Sequence, residues 1–184
     1  MAMAEAETYL TDAIAYYNSQ EVPVPYSPNQ FYLLDIIDPD QSLGIISVIG
    51  KKDAMEECCP DSILLPYATD KFGLAFFKPY LELDSTHRKK AAFHELWHII
   101  EMERGIVQDG YFTEGVAEYV AHRAMNHPIG FPEEFPTHLS RAQICAYLLI
   151  PIRLQKIMQA YPQPLHTLLD LEQREKITRE VFSE

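Results

Sequence analysis

His94, Glu95 and His98 form a His-Glu-x-x-His pattern inside a segment that we predict to be helical. Residues four apart lie on one face of an α-helix, so both imidazoles can reach a single metal ion. Neutral imidazole nitrogens are usual ligands of zinc, which favours Zn²⁺. Glu95 lies beside them and can reach a water on that metal without displacing it. The spacing therefore predicts a zinc site with a carboxylate next to its open position.

The first competing interpretation is that these histidines lie in a buried helix and only form hydrogen bonds there. Apolar residues surround the pattern almost completely: Ala91, Ala92, Phe93, Leu96, Trp97, Ile99 and Ile100. Two imidazoles and a carboxylate are costly to bury there unless something pairs them. Coordination of a metal supplies that pairing, so the surroundings favour a metal site.

A di-iron centre is the second competing interpretation, because Glu95 and His98 also form a Glu-x-x-His pair. Such a centre needs a second Glu-x-x-His on another helix. Glu118 is followed by His122 at a spacing of four rather than three, so the sequence offers no second pair.

Glu114 and Glu118 are the candidates for a third zinc ligand, which a catalytic site needs beside its open position. They lie one turn apart on the next predicted helix, and its apolar residues fall mostly on the other side. Glu114 as ligand and Glu118 as the acceptor for a zinc-bound imidazole is a coherent arrangement. Exchanged roles and a solvated acidic face are the alternatives left open.

The segment Phe112–Tyr119, FTEGVAEY, is similar to the EG-x-A-x-Y glutamate helix of the peptidase-MA-like and minimal-gluzincin proteins. It also resembles the NEGFA segment of the M1-type aminopeptidases. Together with the upstream HExxH pattern, this resembles the gluzincin zinc metallopeptidases over about residues 72–170. In those families the Glu before the Gly is the zinc ligand, which falls on Glu114.

The resemblance implies hydrolysis of peptide bonds by a zinc-activated water. Zinc held by His94, His98 and Glu114 lowers the pKa of that water, and Glu95 takes its proton and later protonates the leaving amine. The expected partner is a peptide or protein substrate. It would lie antiparallel to an edge strand in residues 73–83, where Phe76, Phe77 and Tyr80 would set side-chain preference.

Two departures from the family pattern concern residues around the site. Thr113 stands where relatives commonly have Asn or Ser, and the residue that hydrogen-bonds the tetrahedral intermediate is not assigned by a motif. The candidates for that role are Tyr119 and Tyr147, then Tyr111, His122, His138 and Arg141.

Two further functions stay open: a regulatory or toxin-type HExxH protease that acts on one partner protein, and a non-catalytic zinc-binding module with a degenerate site.

The elements that must position these residues are read from periodicity and breakers. We predict helices over residues 5–18, 86–104, 112–126, 139–160 (bent at Pro151) and 165–181, a strand pair over 31–37 and 43–49, and strands over 72–77 and 80–83. Residues 20–30 and 51–70 are expected to be irregular. Strands followed by helices predict an α+β fold. The resemblance implies a small gluzincin-like domain with a short mixed or antiparallel sheet and an edge strand before the active-site helix. A glutamate helix and further C-terminal helices would complete the domain.

Composition bounds the possible partners. The 184 residues fit a single domain over 1–184, made of a helix and connector (1–30), a strand-rich part (31–84) and a helical part with the zinc site (85–184). A net charge of −12 argues against binding nucleic acid or an anionic membrane surface. The acidic amino terminus lacks a signal-peptide core, and the three cysteines (Cys58, Cys59 and Cys145) show no secreted spacing. A cytoplasmic location is therefore expected, with signal-independent export left open.

Overall fold

The computed structural model describes residues 2–24, 32–36, 45–58, 60–106, 110–130 and 140–183. The chain divides into two compact units, Met1–Ile99 and Ile100–Glu184, and the boundary falls inside one long helix. The prediction of a single domain over residues 1–184 stays a prediction. None of the described helices combines the length and the apolar character needed to cross a bilayer.

Helices dominate the described residues, and a small mixed sheet accompanies them, which confirms the α+β class. In chain order the elements are α1 (Ala2–Ser19), β1 (Tyr32–Ile36), β2 (Ile46–Ile49), α2 (Lys52–Cys58), β3 (Gly73–Phe77), α3 (Lys78–Glu82), α4 (Ser85–Glu103), α5 (Tyr111–Ala124), α6 (Arg141–Ile144), α7 (Ile150–Ile157), α8 (Pro164–Leu169) and α9 (Leu171–Phe182). Single helical turns of tighter pitch lie at Leu65–Tyr67 and Met158–Ala160, and a π-helical segment, Cys145–Leu149, joins α6 to α7.

The sheet of the first unit has the strand order β1-β3-β2, with β1 parallel and β2 antiparallel to β3. The predicted strand pair over 31–37 and 43–49 is therefore wrong, because each of these strands pairs with β3. The predicted edge strand before the active-site helix is also wrong, because β3 is paired on both sides. All five residues of β3 are buried, as expected for a central strand with an apolar face on each side.

Two helices replace predicted irregular or extended chain in the first unit. Residues 80–83 were expected to be a strand, but most of them belong to α3, where Pro79 lies in the first helical turn and needs no N–H partner. Residues 51–70 were expected to be irregular, but they contain α2. Its Met55 joins a small core with Ile49, Leu64, Ala68, Ala75 and Phe77.

The second unit contains α5 to α9. The predicted helix over 139–160 is helical from Arg141 to Ala160, but its middle is the π-helical segment. There the Ile150 N–H donates to the Cys145 carbonyl, just before Pro151, which has no N–H to continue an α-helical pattern. The predicted terminal helix is two helices. Asp170 is extended between them, and its side chain accepts a hydrogen bond from the Gln173 N–H at 2.9 Å, which begins α9.

Candidate metal centre

His94 and His98 lie on the same face of α4, as their spacing predicts. Their Nε2 atoms are 3.1 Å apart, and the ring centroids are 4.9 Å apart at an interplanar angle of 73°. The two residues are only 8% and 7% exposed. Two ring nitrogens thus face one another in surroundings where unpaired polar groups are costly.

Helix α1 holds the histidine-bearing part of α4 within the first unit. The Tyr17 hydroxyl donates a buried hydrogen bond of 2.8 Å to the carbonyl of Phe93, the residue just before His94. The rings of Tyr17 and Trp97 lie 5.7 Å apart. Lys89 Nζ lies 2.6 Å from Asp12 Oδ2 near the start of α4. These contacts fix the helix at the turns that carry the histidines.

Asp84 caps the amino end of α4. Its Oδ1 accepts a hydrogen bond of 3.0 Å from the His87 N–H, and its Oδ2 lies 2.7 Å from His87 Nδ1. The backbone hydrogen bond from His87 is the main reason that the pKa of Asp84 lies below its usual value. The helix therefore begins where the sequence predicts, and the capping group is Asp84.

Glu114 lies in the first turn of α5 and is partly buried. The Tyr147 hydroxyl donates a hydrogen bond of 3.2 Å to Glu114 Oε2. Tyr147 belongs to the π-helical segment, and such segments are frequent at functional sites. The contact engages one oxygen of a carboxylate that could also offer a metal ligand atom.

His94, His98 and Glu114 together form a group that could hold a metal ion. Each offers one ligand atom, and these atoms all lie within 4.8 Å of one another. These are the three residues that the sequence predicts as zinc ligands. The group has two imidazole nitrogens and one carboxylate oxygen, which leaves a fourth position for water or substrate in a tetrahedral site.

Glu95 and Glu118, the other two acids of the predicted site, differ in their surroundings. Glu95 is partly buried on α4, next to His94. Glu118 is 7% exposed on α5, and its Oε1 lies 3.1 Å from His122 Nε2, one turn further along the same helix. The roles predicted for Glu95 and Glu118 stay predictions.

The remaining candidates for hydrogen-bonding the tetrahedral intermediate are not equivalent. Tyr119 is 4% exposed, and burial raises the pKa of its phenol, while Arg123 acts in the opposite direction. Tyr111 and Arg141 are exposed. His138 lies outside the described residues. Tyr147 donates a hydrogen bond to Glu114, a predicted zinc ligand.

The three aromatic residues expected to set substrate preference are buried. Phe76, Phe77 and Tyr80 are 3%, 1% and 0% exposed. The rings of Phe76 and Tyr80 lie 4.8 Å apart. These side chains belong to the packed interior of the first unit, so they are not available to a bound peptide.

A buried ion pair in the second unit was not predicted from the sequence. Arg174 NH1 lies 2.8 Å from Glu101 Oε1, and the two side chains are 7% and 0% exposed. A signal was present, because Arg174 shares its α9 face with the buried residues Ile177 and Val181. A charged residue at an apolar-periodic position indicates a buried partner.

Comparison of the chain with known protein families, curated proteins and solved structures finds no match. The resemblance to gluzincins therefore stays a prediction based on two short motifs. What points to a function is the group formed by the side chains of His94, His98 and Glu114.

Proposed function

We propose that the protein is a zinc-dependent metallopeptidase in which His94, His98 and Glu114 hold the metal. The observation that supports this most directly is the convergence of one ligand atom from each of the three residues within 4.8 Å. Sequence spacing predicts His94 and His98 as ligands and offers Glu114 and Glu118 as the third, and the resemblance to gluzincins implies Glu114. The grouping of His94, His98 and Glu114 supports the same set.

The donor set suits zinc. Two ligands about 2.1 Å from a tetrahedral ion lie roughly 3.4 Å apart, and the two Nε2 atoms are 3.1 Å apart. Calcium and magnesium prefer six or more oxygen ligands, whereas this group offers two nitrogens and one carboxylate oxygen. The chemistry of the donors therefore favours zinc over the hard cations.

Zinc, when bound, would act as a Lewis acid that activates water and polarises the scissile carbonyl. Glu95 accepts the proton of the attacking water and returns it to the leaving amine, so it acts first as base and then as acid. Tyr147 keeps Glu114 Oε2 engaged and orients the carboxylate. Glu118 is the proposed acceptor that orients a ligating imidazole.

The proposed substrate is a peptide or protein segment. It cannot add as a strand to β3, because β1 and β2 occupy both sides of that strand. The net charge of −12 opposes nucleic acid as the substrate. A dedicated protease with one partner shares this site and chemistry, and differs only in the range of proteins that it cleaves.

The test combines elemental analysis of the purified protein with digestion of a denatured, casein-like substrate, with and without a chelator. The Glu95→Gln variant, purified in parallel, controls for contaminating proteases. We expect stoichiometric zinc and a cleavage activity that the chelator and the variant both abolish. Stoichiometric zinc without cleavage of any substrate would favour the non-catalytic module. Absence of bound zinc, even after addition of excess metal, would contradict the proposal.

A further inference from the structure

The buried Arg174–Glu101 pair belongs to a small network in the second unit. Arg174 NH1 lies 2.8 Å from Glu101 Oε1 and donates a hydrogen bond of 3.2 Å to the carbonyl of Leu168. The guanidinium therefore links the last turn of α4 and the end of α8 to its own helix, α9. Glu101 is wholly buried, so the carboxylate of this ion pair is not exposed to solvent.

The same guanidinium reaches the first turn of α5. Arg174 NH2 donates to Thr113 Oγ1 at 3.4 Å, and Arg174 Cζ lies 5.3 Å from the centroid of the Phe112 ring. Both Phe112 and Thr113 are 2% exposed. They are the two residues that directly precede Glu114, so Arg174 contacts the turn that carries the proposed carboxylate ligand.

We propose that Arg174 is a positioning residue for Glu114, which rests on the proposed role of Glu114 as a zinc ligand. Arg174 fixes the first turn of α5 through its hydrogen bond to Thr113 and its cation–π contact with the Phe112 ring. Glu101 and the Leu168 carbonyl fix Arg174 in turn. The network thereby fixes the position of the turn that carries the Glu114 carboxylate.

Arginine is suited to this role and lysine is not. A guanidinium is planar and donates in several fixed directions, so one side chain can bind a carboxylate, a carbonyl and a hydroxyl at the same time. A lysine ammonium is a single flexible point charge. Apolar residues in place of a buried ion pair often give equal or greater stability, so stability alone is a weak reason for this network.

The test compares Arg174→Lys with Arg153→Lys. Arg153 makes the same kind of anchoring contact to α9, because its NH1 donates to the carbonyl of Val181. Each variant keeps its positive charge and loses the guanidinium fork. Zinc affinity is measured by competition with a chromophoric chelator, well below the melting temperature of each metal-free protein, and that temperature is recorded separately.

We expect Arg174→Lys to raise the zinc dissociation constant about 10-fold, the lower end of what loss of an orienting partner costs, and Arg153→Lys to leave it within about 2-fold. Thr113→Val should also weaken zinc binding, and the two changes should combine less than additively if Arg174 acts through Thr113. Equal zinc affinity in Arg174→Lys and Arg153→Lys would overturn the inference while the proposed function stands. A wild-type protein that binds no zinc would instead remove the proposed function, and the inference with it.

Discussion

Gly115 of α5 lies so close to Ile150 of α7 that no side chain fits between them. A Cβ atom on residue 115 would lie 2.3 Å from Ile150 Cγ2 and 3.1 Å from the backbone oxygen of Ala146. The close approach places the π-helical segment against α5, where Tyr147 reaches Glu114. The Glu-Gly pair in the sequence thus combines a proposed ligand with the small residue that lets its supporting segment approach.

Replacement of Gly115 by Ala should lower the free energy of unfolding by about 1–3 kcal/mol, the usual cost of overpacking a core. The nearest atoms include a backbone oxygen and a β-carbon, which cannot rotate away as a flexible side-chain end could. Chemical denaturation measures the effect. Gly130→Ala is the matched control, since a Cβ there meets nothing within 4 Å, and it should change stability by less than about 0.5 kcal/mol. Equal stability of the two variants would contradict the packing argument.

Tyr147→Phe should weaken zinc binding about 10-fold, because Glu114 Oε2 loses the hydroxyl that orients the carboxylate. Chelator competition measures the affinity. Tyr119→Phe is the control, because Tyr119 is another buried tyrosine of the second unit and its phenol interacts with Arg123. This variant should leave zinc affinity unchanged. If Tyr147→Phe retained full affinity but lost turnover at saturating zinc, Tyr147 would act on the transition state rather than on the ligand.

Glu95→Gln should keep stoichiometric zinc and lose about 10²–10⁴-fold in kcat, since an amide cannot accept the proton of the attacking water. Zinc content by elemental analysis and kcat on a cleavable peptide are measured on the same preparation. Loss of the metal in this variant would show that Glu95 is a structural part of the zinc site instead of its base.

The proposed site was easier to predict than the sheet because its signals are local. His94 and His98 are one turn apart on α4, and Glu114 and Glu118 are one turn apart on α5, so helical periodicity predicts that each pair shares a face of its own helix. Both helices were predicted to within two residues of their observed ends. Tyr147 was among the candidates, but its contact with Glu114 is 33 positions apart in the chain and depends on tertiary packing.

Strand order and helix interruptions depended on contacts that periodicity does not encode. Residues 31–37 and 43–49 are predicted to pair with each other, yet β3 lies between β1 and β2 and comes later in the chain than both. Residues 80–83 are predicted to form a strand, although Pro79, just before them, also suits the first turn of a helix. Asp170 interrupts the last predicted helix because its side chain caps α9, a role that the apolar periodicity of the segment does not reveal.

Tyr80→Phe should remove a pH-dependent part of the stability. Burial raises the pKa of the Tyr80 phenol from 10.0 to about 12, and its hydroxyl has no hydrogen-bond partner among the described residues. Above about pH 10 the unfolded chain loses this proton and the folded chain keeps it, so stability is lost as pH rises from about 10 towards 12. The variant should be as stable as the wild type near pH 7 and lose less stability above pH 10.

Denaturation curves between pH 7 and 11 measure this difference. Tyr111→Phe is the control, because Tyr111 is 57% exposed and its phenol meets water in both states. An equal loss of stability above pH 10 in the wild type and in Tyr80→Phe would show that another group controls the effect.

Glu114→Ala and Glu118→Ala should separate the two acidic roles on α5. Removal of a ligand should weaken zinc binding by more than about 100-fold, whereas loss of an orienting partner costs about 10–100-fold. We therefore expect Glu114→Ala to have the larger effect, since Glu114 is the acid grouped with His94 and His98. Because Glu118 also contacts His122, His122→Ala is the control for a general disturbance of α5. If Glu118→Ala stripped the metal and Glu114→Ala retained it, the ligand would be Glu118, and the contact between Tyr147 and Glu114 would lie outside the metal site.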